Sequence, residues 1–210
     1  MKIINASYKI ETPIDGAEIL KRIEKAGRTC YKSENRITDE SAEAFVRTLI
    51  QRGHESVLEH ESITVRFICD RGISHEIVRH RLASYSQEST RYCNYSNDRF
   101  GYEITFIKPC FLKEETGAYA AWSSAMHLAN IAYSDMLAEG CTPQEARSVL
   151  PNSTKTEVVM TANLREWRHF LKLRTAKAAH PQMRELTVPL LHELQRQIPV
   201  VFDDIKEDNI

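Results

Sequence analysis

Three stretches of this 210-residue chain concentrate side chains able to do chemistry. RHRLASYSQESTRY, from Arg79 to Tyr92, sets Arg79, His80, Arg81 and Arg91 around Ser84, Ser86, Ser89 and Thr90. Guanidinium groups bind phosphate oxygens bidentately, and hydroxyls with turn amides complete such a shell. The pattern suits an anion cradle. It equally suits a helix ending in cations, each favoured by the helix dipole by ~0.3–1 kcal/mol, followed by a Ser-rich turn. NLREWRHFLKLR, from Asn163 to Arg174, places Arg165 and His169 one helical turn apart, away from a stripe of Leu164, Trp167, Phe170, Leu171 and Leu173. Asn163 and Glu166 also read as an N-cap and its partner. RGHESVLEH crowds His54, Glu55, Glu59 and His60 ahead of a strand, as a polar surface turn does too.

Other signals are missing. GxGxxG and GxxxxGK[ST] do not occur, so neither a Rossmann turn nor a P-loop is expected. HExxH does not occur either. His54 to His60 and His75 to His80 are spacings that put the rings on different faces of a helix, and no metal site is expected. Cys110 follows a strand beside Phe111 with no His next to it, and reads as a small hydrophobe rather than a nucleophile. The three stretches offer Arg, His and Asn without a nucleophile–base pair. Such a site binds a large anionic cofactor and leaves the chemistry to it.

The elements that must carry these residues follow from periodicity. A strand is expected over Ile3 to Glu11, then amphipathic helices AEILKRIEKAG and SAEAFVRTLIQRG. The second of these is read with Thr38 or Asp39 as cap and Ala44, Phe45, Leu49 and Ile50 as its buried stripe. ESITVRFICD, YEITFIKP from Tyr102, and TEVVMTAN alternate as strands. ISHEIVRHRLAS reads as helical up to the RHR stretch, GAYAAWSSAMHLANIAYSDMLAEG as a long helix, and Thr142-Pro143-Gln144-Glu145 as a capping box. LREWRHFLKLRTA and Met183 to Gln197 complete the helices. Strands and helices do not alternate regularly, so the expected fold class is α+β, a mixed sheet packed against helices in a single domain, 1–210.

Lys and Arg number 28, Asp and Glu 29, for a net charge of -1. A general nucleic-acid binder needs a broad cationic excess. The apolar runs fall short of the ~20 residues of a membrane helix, the N-terminus lacks the pattern of a signal peptide, and five scattered cysteines suit reduced thiols in a cytoplasmic setting.

The combination resembles the flavin-dependent thymidylate synthases. Their signature is RHR, seven residues, then Ser, matched by Arg79-His80-Arg81 with Ser89. Their GHE segment is matched by Gly53-His54-Glu55, their Arg before Leu-Pro by Arg147 before Leu150-Pro151, and their N-x-R helix ending in L-R by Asn163, Arg165, Leu173 and Arg174. The resemblance covers most of the chain. It implies an α+β homotetramer with active sites where subunits meet. The implied reaction is methylation of dUMP to dTMP, with carbon from methylenetetrahydrofolate and electrons from FADH2 that NADPH regenerates. It implies flavin contacts from His54, Ser56, Arg79, His80, Arg81, Gln87, Asn163, Arg165 and His169. It implies dUMP contacts from Glu76, Arg79, Gln87, Ser89, Arg91 and Arg147, with the turn amides of Glu88 and Thr90. Arg174 is implied on the uracil edge as the catalytic cation. Three places depart from the pattern of some family members: Glu76, Gln87 where an acidic residue can stand, and the His180-Pro181 pair. The competing reading is a single-stranded RNA-binding module using residues 79–95, with bases stacked on Tyr85, Tyr92 and Tyr95.

Overall fold

A computed structural model describes residues 1–95 and 103–207. In chain order the elements are strands β1 (Lys2–Ile4) and β2 (Ser7–Ile10), helices α1 (Gly16–Thr29) and α2 (Ser41–Gln51), β3 (Ser62–Asp70), α3 (Arg71–Ile77), β4 (Ala83–Gln87), β5 (Thr105–Ile107), α4 (Gly117–Ala138), α5 (Pro143–Ala146), β6 (Lys155–Asn163), α6 (Leu164–Arg174) and α7 (Pro181–Gln197). One sheet has the order β2-β3-β6-β4, and β1 pairs with β5 in parallel. This is the mixed helix-and-sheet architecture expected. The single strand expected over Ile3 to Glu11 is two strands in two different sheets, because the alternation breaks at Asn5-Ala6. The strand expected from Tyr102 begins at Thr105, and Tyr102 itself lies outside the described residues.

By their internal contacts the residues form two compact units interleaved in sequence. The first takes Met1–Ser7, Phe67–Arg79 and Tyr85–Val159; the second takes Tyr8–Arg66, His80–Ser84 and the chain from Met160 on. In the first unit Ile104, Phe106, Met126, Tyr133 and Ala146 form a buried cluster. Its longest helix, α4, starts at Thr116, whose hydroxyl accepts from the Tyr119 amide.

The second unit packs α1, α2, α6 and α7. Helix α1 buries the expected Ile19, Leu20 and Ile23. Helix α2 does not follow its expected stripe: Ala42, Val46 and Leu49 are buried, whereas Ala44 is exposed. The i, i+4, i+7 set is an equally good helical face, and packing chose it. Trp167 is fully buried, and its indole N–H donates to the Ile63 carbonyl at 3.0 Å, which satisfies the ring's one polar atom.

Two local devices place site residues. Helix α2 ends in a Schellman turn: Gly53 sits at φ 70°, its N–H reaches the Ile50 carbonyl, and the His54 N–H reaches that of Leu49. The glycine of GHE is thus the helix stop that launches His54. At the other end of the chain, His180 Nδ1 accepts from the Gln182 amide at 3.3 Å and Pro181 occupies the first turn of α7. The departure at His180-Pro181 is a helix start.

Candidate active site

In the first unit, helix α3 ends at Ile77, just before the RHR stretch, as read. The Ser-rich segment expected as a turn contains strand β4, in which Ser84 and Ser86 are exposed. Alternation of small polar residues with Ala83 and Tyr85 is a strand pattern that hydrophobicity alone hides. Gln87, at the end of β4, donates to Ser74 Oγ (3.0 Å) and Thr156 Oγ1 (3.2 Å). Ser74 Oγ in turn donates to the Arg71 carbonyl. These bonds fix which end of the Gln87 amide is nitrogen.

After the strand, Ser89 opens a turn. Its carbonyl accepts from the Tyr92 and Cys93 amides and its hydroxyl from the Arg91 amide. The Glu88 N–H, expected in the cradle, donates instead to the Glu157 carbonyl at 2.9 Å as part of the sheet. The Glu88 carboxylate accepts from Tyr95 Oη and Lys155 Nζ, each at 2.8 Å. Arg147 Nη1 reaches Thr90 Oγ1 at 3.5 Å, and both line a cleft of about 520 Å³ with Arg71, Gln144, Ser148 and Leu150. Two guanidinium groups, two hydroxyls and an amide face one space whose lining holds no carboxylate, the donor set of a phosphate site. Arg71 went unread in the sequence, since it lies eight residues before the RHR triplet with no motif of its own. Arg79 Nε donates to the His75 carbonyl.

In the second unit, Asn163, Arg165 and His169 line a cavity of about 710 Å³ with Glu55, Glu59, Leu82, Glu166 and Lys172. Asn163 caps α6 as read, its Oδ1 accepting from the Glu166 amide at 2.9 Å. Arg165 donates to Glu59 at 2.6 Å. His54, Ser56 and Arg81 are exposed and are not among the residues lining this cavity. Leu173, expected in the buried stripe, is 42% exposed, whereas Glu166 and Arg168, expected outside it, are buried. Arg168 holds both Glu55 and Asp204, with Nη2–Oε1 at 2.9 Å and Nη1–Oδ1 at 2.6 Å, and also bonds the Val201 carbonyl.

Beside this cavity His80 is buried, its ring edge-on to Phe170 at 4.8 Å and 5.6 Å from that of His169. Arg174 Nε lies 3.0 Å from His80 Nε2, and His80 Nδ1 lies 3.2 Å from Glu166 Oε1. A guanidinium only donates, so Nε2 is the bare nitrogen and the imidazole proton sits on Nδ1, donated to Glu166. The ring is therefore neutral, and the contact to Glu166 is a hydrogen bond rather than an ion pair. Burial, then Arg174 and His169, push the His80 pKa down to about 4, in agreement. Burial pushes the Glu166 carboxyl upward, against the opposing pull of His169. His80, Glu166 and His169 place a ligand atom each within 4.8 Å of one another. The lone pair at Nε2 already accepts from Arg174, which makes this cluster a proton-ordered relay rather than a metal centre.

The stacking surface of the RNA reading is not present. Tyr95 is buried against Tyr133, Tyr85 is half-buried with its hydroxyl on the Ile77 carbonyl, and only Tyr92 of the three is broadly exposed. Cys110 is exposed rather than packed as a small hydrophobe.

A family model described as thymidylate synthase complementing protein matches residues 14–200. The flavin-dependent thymidylate synthase of Pyrococcus furiosus is 34% identical over 181 residues, covering 86% of this chain and 71% of its own length. That of Corynebacterium efficiens is 34% identical over 226 residues, covering 98% and 86%. The crystal structure of the UMP/dUMP methylase PolB from Streptomyces cacaoi, bound with 5-Br UMP, matches at TM-score 0.76 and 20% identity over 97% of this chain and 95% of that one, which speaks to the fold. The chain belongs to the flavin-dependent thymidylate synthases, a family of methyltransferase enzymes.

Proposed function

We propose that this enzyme methylates dUMP to dTMP, with methylenetetrahydrofolate as carbon donor and FAD, reduced by NADPH, as its cofactor. The observation that carries the reading is the cleft where Arg71, Arg147 and Thr90 meet, in a chain whose relatives are named flavin-dependent thymidylate synthases. A nucleoside monophosphate presents a compact dianion, and two fixed guanidinium groups neutralise it without the broad positive field a nucleic acid requires. We assign Ser89, Arg91, Gln87, Glu76, Thr90 and Arg79 to the same binding set; Glu88, whose amide is used in the sheet, is left out of it.

The cavity beside α6 fits a cofactor. Its volume is in the ~300–1,000 Å³ range of small-molecule sites, and Asn163, Arg165 and His169 offer polar contacts in it. His54, Ser56, Arg79, His80, Arg81 and Gln87 complete the proposed flavin set. Bound flavin would supply the electrons that take the transferred carbon to the methyl level. The protein's own part is electrostatic. Arg174 presents a cation to the uracil edge, favouring the ionised N3 and polarising the ring toward attack at C5 and C6. The neutral His80 accepts from Arg174 without opposing that charge.

Apart from Arg174, the dUMP set lies in the first unit, and most of the flavin set lies in the second; we read the assembly as a homotetramer whose sites draw on more than one chain. Exposed Leu128 and Ile131 on α4 offer apolar surface for such assembly. We read the chain as one domain over 1–210, because the segments of each unit alternate along the sequence. A cytoplasmic setting fits five cysteines outside any disulfide; among the described residues no helix is long and apolar enough to cross a membrane.

The test is an FAD titration followed by visible absorption, then NADPH oxidation with and without dUMP. Perturbed flavin bands and dUMP-dependent oxidation are expected. A free-flavin spectrum at saturating FAD overturns the reading.

A further inference from the structure

We propose that Glu166 is a positioning residue for Arg174, acting through the tautomer of His80. The inference rests on the role given to Arg174 above. Its basis is geometric: Glu166 Oε1, His80 Nδ1, His80 Nε2 and Arg174 Nε form one chain of contacts at 3.2 and 3.0 Å, in which Glu166 and His80 are buried and Arg174 half-buried. An imidazole free of Glu166 places its proton on either nitrogen. With the proton on Nε2 it meets the Nε–H of Arg174 donor to donor, and the guanidinium loses this contact. The Glu166 acceptor selects the Nδ1–H form and so keeps Nε2 open to Arg174. Arg174 is the last residue of α6 and Glu166 lies in its first turn. The relay ties the two ends of this helix to one ring from the RHR triplet.

The groups facing this relay are few. His169 and Arg174 face His80; Glu166 is faced by His80 and His169, and shares its cavity with Glu55, Glu59, Arg165 and Lys172. As pH falls, protonation of the Glu166 carboxyl weakens the acceptor before His80 itself takes up a proton. Turnover at saturating substrates therefore declines on the acid side through Glu166.

The experiment uses the full-length protein with E166Q, E166L and R174A. Ring ¹⁵N spectra of labelled histidine, read without any cofactor, report the His80 tautomer directly. The wild type should show a single Nδ1–H form, and E166L a mixture. E166L should lose about tenfold in kcat, the effect of one hydrogen bond to a charged group, with little change in dUMP affinity. E166Q keeps the shape and a weaker acceptor, so its kcat falls less and its acid limb moves down toward the His80 titration. E166Q carries the test if E166L does not fold. A wild-type ring spectrum together with a wild-type pH profile in E166Q and E166L overturns the inference. R174A separates this from the reading beneath it. An inactive R174A beside a fully active E166L defeats only the role of Glu166. A fully active R174A defeats the role of Arg174, while the ring spectra still report whether Glu166 sets the tautomer.

Discussion

Arg168 grips Asp204 with both terminal nitrogens, Nη1–Oδ1 at 2.6 Å and Nη2–Oδ2 at 2.8 Å, from a side chain that is 1% exposed. The same guanidinium holds Glu55, next to His54 and Ser56. One buried cation thus ties the GHE segment and the C-terminal segment to α6. Arg168→Ala takes the guanidinium away from Glu55 and from Asp204, which is 46% exposed and also faces Lys172, so the loss should be about 1–3 kcal/mol. Thermal unfolding should show the midpoint falling by roughly five degrees. An unchanged midpoint means the network contributes nothing to stability.

Acid pH should act on the same contact. Burial alone would raise the Asp204 pKa, but its bonds to Arg168 carry it below the ordinary Asp range. A carboxyl depressed in the folded state contributes stability that is full above its unfolded pKa and is lost as pH falls through the folded value. Urea unfolding from pH 5 down to pH 2 should show that loss, and Asp204→Asn should flatten it.

His80 adds a second acid dependence with its own window. Its folded pKa, about 4, lies below the value of 6.5 for an unperturbed His. Between those two values the unfolded chain binds a proton that the folded one refuses, so stability declines as pH falls from about 6.5 to about 4. The decline should amount to a few kcal/mol at most. His80→Gln should be flat across this window, and a wild-type curve that is equally flat contradicts the neutral ring.

The phosphate cleft predicts a separation of affinities. Arg147→Ala and Arg71→Ala should each weaken dUMP binding by roughly 10–100-fold, the range for a charge-assisted hydrogen bond. FAD binding should stay within about twofold of wild type, a margin of ~0.4 kcal/mol. Calorimetric titration of each ligand checks this, and an equal loss of both ligands would show that the clefts are not separable.

Arg174→Ala should abolish dTMP formation while the flavin remains bound, read by product chromatography beside the absorption spectrum. Full dTMP formation in that variant removes the role assigned to Arg174.

Much of this was legible in the chain. The 3.6-residue period found α1 and α6, and the N-x-R helix was read with Asn163 as its cap, as its bond to the Glu166 amide shows. Periodicity misjudged residues whose partners come from far away. Arg168 carried no reading and Glu166 only that of a capping partner, because nothing near them in sequence neutralises them. Their partners are Glu55, Asp204 and His80, which only the fold brings within reach. Strand β4 was hidden for a different reason: serines occupy its outward positions, and a Ser-rich stretch after a helix looks like a turn. Arg71 was missed because a single arginine at a helix start is indistinguishable from surface charge until Arg147 and Thr90 stand beside it.

The interleaving of the two units bears on how the protein is made. Tyr8 donates to Glu193 at 2.8 Å across 185 residues, and Gly16 packs so closely on the Gln197 carbonyl that a Cβ would come within 2.1 Å of it. Helix α1 cannot settle into place until α7 has left the ribosome. Contacts this distant in sequence slow folding and prolong the exposure of apolar surface. During translation α1 and α2 wait with their apolar faces uncovered, so the nascent chain should engage holding chaperones until α7 emerges.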